Sequence, residues 1–172
     1  TRSAIQLITN QPEALFMLQV KERQFTDAIN AALNINLQAI AVPQGTKEKR
    51  SFYEPQPTMG FAIAEQPFKV EVLMVNNSTF TIEPKRINII APANWKIDNN
   101  QQDLKPLQAN DKTEQTYIVS VPESAAFSKP YFTRNSLQEN QYHLQDKQYE
   151  NLPWGADALQ VSASYLINNE LV

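Results

Sequence analysis

A single histidine, His143, limits the chemistry this sequence can perform. Nucleophilic catalysis of the Ser–His–Asp or Cys–His kind needs a base beside the nucleophile, and His143 is the one imidazole on offer. Its neighbours Tyr142, Gln145 and Asp146 form no known motif, so it reads as an exposed or hydrogen-bonded loop histidine. Zinc prefers several His or Cys ligands, and one His with no Cys cannot supply them. Calcium takes clustered carboxylates; Asp98, Asp103 and Asp111 share a polar loop but lack the spacing of an EF-hand. Gly45, Gly60 and Gly155 stand too far apart to build a phosphate loop. A carboxylate pair for sugar hydrolysis is set by the fold, and the sequence singles out no two acids. The expectation is that this chain has no catalytic, cofactor-binding or metal-binding residue.

Recognition is a different matter. Trp95, Tyr131, Phe132 and Trp154 offer aromatic faces suited to stacking on pyranose rings, although such rings in a sandwich are more often buried. Asn76-Asn77-Ser78 and Asn77-Ser78-Thr79 fit the glycosylation pattern, but a hairpin turn is the simpler reading of the same residues.

The elements that position these residues are mainly strands. Phe68, Val70, Val72 and Met74 alternate with Lys69 and Glu71, the pattern of a strand with one face on a core. After the polar break, Ile87 and Ile89 alternate with Arg86 and Asn88, and Trp95 follows. Tyr117, Val119 and Val121 mark a further strand, closed by Pro122. The clearest alternation sets Leu159, Val161, Ala163, Tyr165 and Ile167 against Gln160, Ser162 and Ser164, and predicts that Val161→Asp unfolds the domain. Asn168-Asn169 then makes a two-residue turn into a return strand.

Ahead of these strands, Asn10 and Pro12 predict a helix start. Leu15, Leu18, Phe25, Ile29 and Ala32 give it one apolar stripe, with a restart at Thr26-Asp27 and a left-handed stop at Asn34. Ala4, Ile5, Leu7 and Ile8 suggest a helical turn before it, and residues 35–42 a strand after it. Thr58–Ala64 reads as a short strand, Leu104 and Leu107 as a loop dipping to the core, and Tyr142–Leu144 as a small hairpin arm. The fold expected is mainly β: an immunoglobulin-like antiparallel β-sandwich with an N-terminal α-helical segment. Residues 1–42 form the helical lead-in and first strand, 43–65 a loop packed on the domain, and 66–172 the sandwich.

Composition agrees with this picture. The chain has 172 residues, 42% of them hydrophobic, enough for a real core. Its net charge of −3, with scattered Lys and Arg, leaves no footprint for nucleic acid. No apolar stretch reaches the roughly 20 residues a membrane span needs. The sequence does not begin with Met and carries no signal peptide, from which one expects a piece of something longer.

Three phrases together resemble a family. VEVLMVNNSTF (70–80) looks like the opening of bacterial sandwich modules attached to glycan-active enzymes. VPESAAFSKPYFTR (121–134) resembles a phrase of the long bacterial PIG-L/LmbE-type N-acetylglucosaminyl deacetylases. Residues 142–167, with Leu152-Pro153-Trp154 before the alternating strand, and the helix running into residues 35–42, follow that family's order. The resemblance implies the non-catalytic C-terminal region of such a protein, a NEW3-like β-sandwich module. The family's His-Pro-Asp-Asp run is not in this sequence, so zinc is expected only in a separate catalytic domain. The function implied is an accessory or spacer module of a bacterial amino-sugar deacetylase; a carbohydrate-binding module and an adhesin-like interaction domain are the alternatives. The implied partners are other domains of the same polypeptide and a glycan, and the implied location is secreted or periplasmic.

Overall fold

The computed structural model describes residues 5, 11–45, 57–99, 103–152, 155 and 157–172. Among them are one long helix and nine strands, all paired antiparallel. The helix, α1, spans Pro12–Leu33 without a break, so Thr26-Asp27 does not restart it. Thr26 and Asp27 have only weak helix-interior costs, and the good helix formers Ala28, Ala31 and Ala32 that follow keep the helix continuous, although Phe25, Ile29 and Ala32 of the expected apolar stripe are exposed. Pro12 opens it, where a missing N–H costs nothing. Gln11 stands at the cap without a side-chain bond, and Asn10 lies outside the described residues, as do Ala4, Leu7 and Ile8. Asn34 ends the helix in the left-handed conformation, at φ 50° and ψ 44°.

Strand β1 (Ile35–Pro43) follows directly, with no linker. Next come β2 (Phe68–Asn76), β3 (Glu83–Ile90), β4 (Lys96–Asn99) and β5 (Lys112–Ser120). A small arm, β6 (Phe132–Thr133) with β7 (His143–Leu144), precedes β8 (Gln160–Ile167) and β9 (Glu170–Leu171). The strands form a four-stranded sheet ordered β1-β2-β5-β4, a three-stranded sheet ordered β3-β8-β9, and the two-stranded arm β6-β7. Residues 57–67 contain no strand, contrary to the expectation for Thr58–Ala64; Met59 instead bonds through its N–H to the Ala41 carbonyl, 2.9 Å away. An alternating pattern needs a ladder partner, and one edge bond does not make one.

The two larger sheets bury their facing sides in one core, a sandwich-like arrangement. Phe68, Val70, Val72 and Met74 of β2 and Tyr117 and Val119 of β5 meet Ile87 of β3 and Tyr165 of β8. The Tyr117 hydroxyl donates to the Ile87 carbonyl at 2.7 Å, a buried bond from one sheet to the other. Burial raises the Tyr117 phenol above its ordinary pKa.

The segment after β2 is not a hairpin. β2 and β3 lie in different sheets, and Asn76 anchors the crossing between them. Its buried amide donates to the carbonyls of Phe80 (2.8 Å), Leu107 (3.0 Å) and Gln108 (3.0 Å). Its carbonyl oxygen accepts from the Ser78 N–H (3.0 Å) and Oγ–H (2.7 Å). The loop before β5 is drawn in by the same contacts: Leu107 is buried and exchanges backbone bonds with Ile82 at 2.8 and 3.0 Å. A side chain wholly buried in this way offers no glycosylation acceptor at Asn76 in the folded domain. Asn77, exposed, donates to the Asn34 carbonyl at 3.0 Å and ties the crossing to the end of α1.

Helix α1 itself is held mainly at its C-terminal end. Leu33 is buried, and the Tyr165 hydroxyl donates to Asn30 Oδ1 at 2.6 Å. Phe16, Met17, Phe25 and Ile29 are exposed. No helix among the described residues is long and apolar enough to cross a membrane.

Candidate functional site

At the end of the sandwich where β2 and β8 begin and β5 ends, three loops and the short segment that leads into β8 leave an open cleft of about 740 Å³. That volume lies within the range of ligand pockets in proteins, about 300–1,000 Å³. One wall is the turn between β3 and β4. Pro92 starts it, Asn94 takes φ 76°, and the Trp95 N–H donates back to Pro92 at 3.3 Å. The turn points the Trp95 ring, half-buried, against the core on one side and the cleft on the other. A second wall is the segment after β5, where Pro122 stops the ladder and the Ala125 N–H bonds the Pro122 carbonyl at 3.0 Å. The third is the segment before β2, fastened by the Glu65 N–H to the Val121 carbonyl at 2.8 Å.

Two rings stand out from these walls: Phe61 is 78% exposed and Phe127 is 91% exposed. Apolar side chains that a fold leaves uncovered beside a concave surface are available to a ligand. The polar lining is sparse: Asn94, Ser124, Ser128 and Asp157. Such a site can stack a flat apolar face and hydrogen-bond a few hydroxyl or amide groups at its rim.

The four aromatics singled out from the sequence do not form one platform. Trp95 lines the cleft; Tyr131 and Phe132 do not. These two pack in the β6-β7 arm, edge to face at 5.3 Å, with Phe132 against Tyr142 at 4.8 Å and Tyr131 near Tyr149 at 5.5 Å. Trp154 lies outside the described residues. Aromatic rings in a small arm with little other core satisfy one another, and this removes Tyr131 and Phe132 from a common surface with Trp95. Phe61 and Phe127 were the residues missed. The one signal for Phe127 was its place in an apolar but irregular run, Ala125–Arg134, with no strand pattern to bury it.

His143 sits on β7 and bonds Glu139 Oε1 at 2.6 Å, with Asn135 Nδ2 at 3.3 Å from the same ring nitrogen. The hydrogen bond with His143, and then that from the Asn135 N–H, hold the Glu139 carboxyl below the usual carboxylate range. The group closes the loop between β6 and β7 and is not part of the cleft. Among the described residues, no three His, Cys, Asp or Glu side chains gather where they could hold a metal ion. Asp111 is engaged in its own loop, accepting the Gln108 N–H at 2.8 Å.

Comparison with protein-family models, curated proteins and solved structures finds no match to this chain.

Proposed function

We propose that this chain is an immunoglobulin-like, non-catalytic accessory module of a larger bacterial amino-sugar deacetylase of the PIG-L/LmbE type, and that its cleft receives the apolar face of a sugar ring. The observation that carries the binding part is the Trp95 cleft, with Phe61 and Phe127 projecting beside it and Asn94 and Asp157 at hand for hydroxyl or acetamido groups. The strand order supports the immunoglobulin-like reading. β1-β2-β5-β4 facing β3-β8-β9 is the order A-B-E-D facing C-F-G of constant-type immunoglobulin domains. The helix that passes into β1 without a linker is consistent with the segment order that the resemblance implies. In this reading zinc belongs to a separate catalytic domain, the partners are other domains of the same polypeptide and a glycan, and the protein is secreted or periplasmic.

The test of the glycan part is a titration with chitin oligosaccharides, followed by tryptophan emission in a Trp154→Phe background so that Trp95 alone reports. A saturable change, weakened at least about tenfold by Phe127→Ala, is expected, since one lost contact of about 1.4 kcal/mol is worth that factor. Phe127 is exposed, so this variant keeps its fold. Unchanged emission across the whole series would remove the glycan reading. The accessory role is tested separately, by whether the reading frame that encodes this chain also encodes a His-Pro-Asp-Asp domain.

A further inference from the structure

The cleft beside Trp95 has a sign. Among the described residues that line it, Asp157 is the one with a charged side chain, and none is Lys, Arg or His. Lys96 and Lys129, next in the chain to Trp95 and Ser128, are exposed and lie outside the lining. Asp157 is exposed and, among the described residues, pairs with no cation.

The fold holds this carboxylate at the cleft from both sides. Two residues on, Leu159 packs against the core and β8 begins. Two residues back, Gly155 lies so close to Tyr131 that a Cβ there would stand 3.3 Å from the Cδ1 atom of the ring. The Tyr131 hydroxyl also donates to the Leu152 carbonyl at 3.0 Å, which fastens the same segment to the β6-β7 arm. Asp157 therefore sits between two fixed points.

An acid in this setting selects by charge. The faces of aromatic rings are the negative ends of their quadrupoles, so a cation over Trp95, Phe61 or Phe127 is attracted by the ring as well as by the carboxylate. An anion is repelled by both. A hydroxyl or an acetamido N–H can donate to Asp157, but an ammonium group donates with its charge, and charge-assisted bonds are the stronger.

We propose that the cleft prefers glycans whose hexosamines carry a free, protonated amine over the N-acetylated forms, and that Asp157 sets the preference. This inference rests on the glycan reading of the cleft and adds the charge of the sugar to it. The aromatic rings take the apolar face of the sugar, and Asn94, Ser124 and Ser128 remain for its hydroxyls.

The test compares glucosamine oligosaccharides with chitin oligosaccharides of equal length, by Trp95 emission in the Trp154→Phe background, at about pH 6, where the sugar amine is protonated and carboxylates are ionised. The glucosamine form binds about fivefold tighter, the size of an exposed ion pair joined to a cation–π contact. The difference shrinks as salt is raised. Asp157→Asn brings the glucosamine affinity down to the chitin value and leaves the chitin affinity within about twofold, since the amide still accepts a hydrogen bond. Asp157 is exposed, so this variant keeps its fold. Asp27→Asn makes the same change of charge at an exposed position on α1, outside the cleft, and retains the preference. Methylammonium, the charge without the ring, does not displace the oligosaccharide at matched concentration; displacement would assign the cleft to organic cations in general and overturn the proposal. Equal affinities in the parent, a preference that outlasts Asp157→Asn, or one lost in Asp27→Asn would also overturn it, while saturable chitin binding leaves the glycan reading standing. Unchanged emission with both sugars removes both.

Discussion

Replacing Asn76 with alanine removes the side chain that holds the crossing between the sheets. The cost can be assembled contact by contact. The carbonyls of Leu107 and Gln108 each keep a second donor, the Ile82 N–H at 3.0 Å and the Asp111 N–H at 3.1 Å, and the Ser78 hydroxyl, freed from Asn76 Oδ1, can turn to the Phe80 carbonyl 3.1 Å away. The loss at each of these is the small net value of a redundant bond, about 0.5 kcal/mol. The Ser78 N–H is different. Asn76 Oδ1 is its partner, and Ser78 is buried, so alanine leaves that donor with about 1–3 kcal/mol of uncompensated desolvation. The total is about 2.5–4.5 kcal/mol, a large part of the stability of an ordinary domain, about 5–15 kcal/mol. Asn77→Ala is the control, because its bond to the Asn34 carbonyl is exposed, and it costs about 0.5 kcal/mol. Denaturant melts of the two variants and the parent, compared at constant slope, measure the difference. A loss below 1 kcal/mol for Asn76→Ala, or equal losses for the two, would refute the assignment of Asn76 as the anchor.

Three further outcomes are expected. Val161→Asp is milder than its alternating pattern predicts, because Val161 is half-buried, whereas Val119→Asp, at 0% exposure on β5, leaves no folded domain; circular dichroism melts of the pair separate them. Burial raises the phenol pKa of both Tyr117 and Tyr165, so the stability these groups contribute is complete below the unfolded tyrosine value near 10 and is lost as pH rises through the higher folded values. Absorbance at alkaline pH should show these two phenols ionising later in the folded chain than in urea. Glu139 has the opposite sign: its lowered pKa stabilises the β6-β7 loop above the unfolded carboxylate value, and this is lost as pH falls through the folded value. The Asn135 amide, bonded to Glu139 at 2.6 Å, should become exchange-labile over that acid range, and in Glu139→Gln the acid dependence should vanish.

Much of the scaffold is written in local pattern. The β2 alternation put Phe68, Val70, Val72 and Met74 inside without reference to any partner, because side chains alternate across a strand whatever it pairs with. Asn34 as a left-handed helix stop and Asn168-Asn169 as a two-residue turn were legible for the same reason: positive φ is a property of the residue and its neighbours, and both asparagines of that turn take it, at 50° and 66°. Pro12 at the helix start belongs with them.

Which strand meets which was another matter. Asn76-Asn77-Ser78 suits a tight turn equally whether the next strand returns beside β2 or crosses to the other sheet. The crossing was decided by carbonyls at 80, 107 and 108, far away in the chain. The cleft depends on the same kind of distant assembly. Trp95, Phe61 and Phe127 come from three separate loops, and nothing periodic in any of them marks the surface they share. Tyr131 and Phe132 show the converse, since two aromatics suited to stacking on a ligand stack on each other and on Tyr142. Residue type decides what a side chain is able to contact; only the packing of distant segments decides what it does contact, because burial is a property of the whole surface and not of the stretch that carries it.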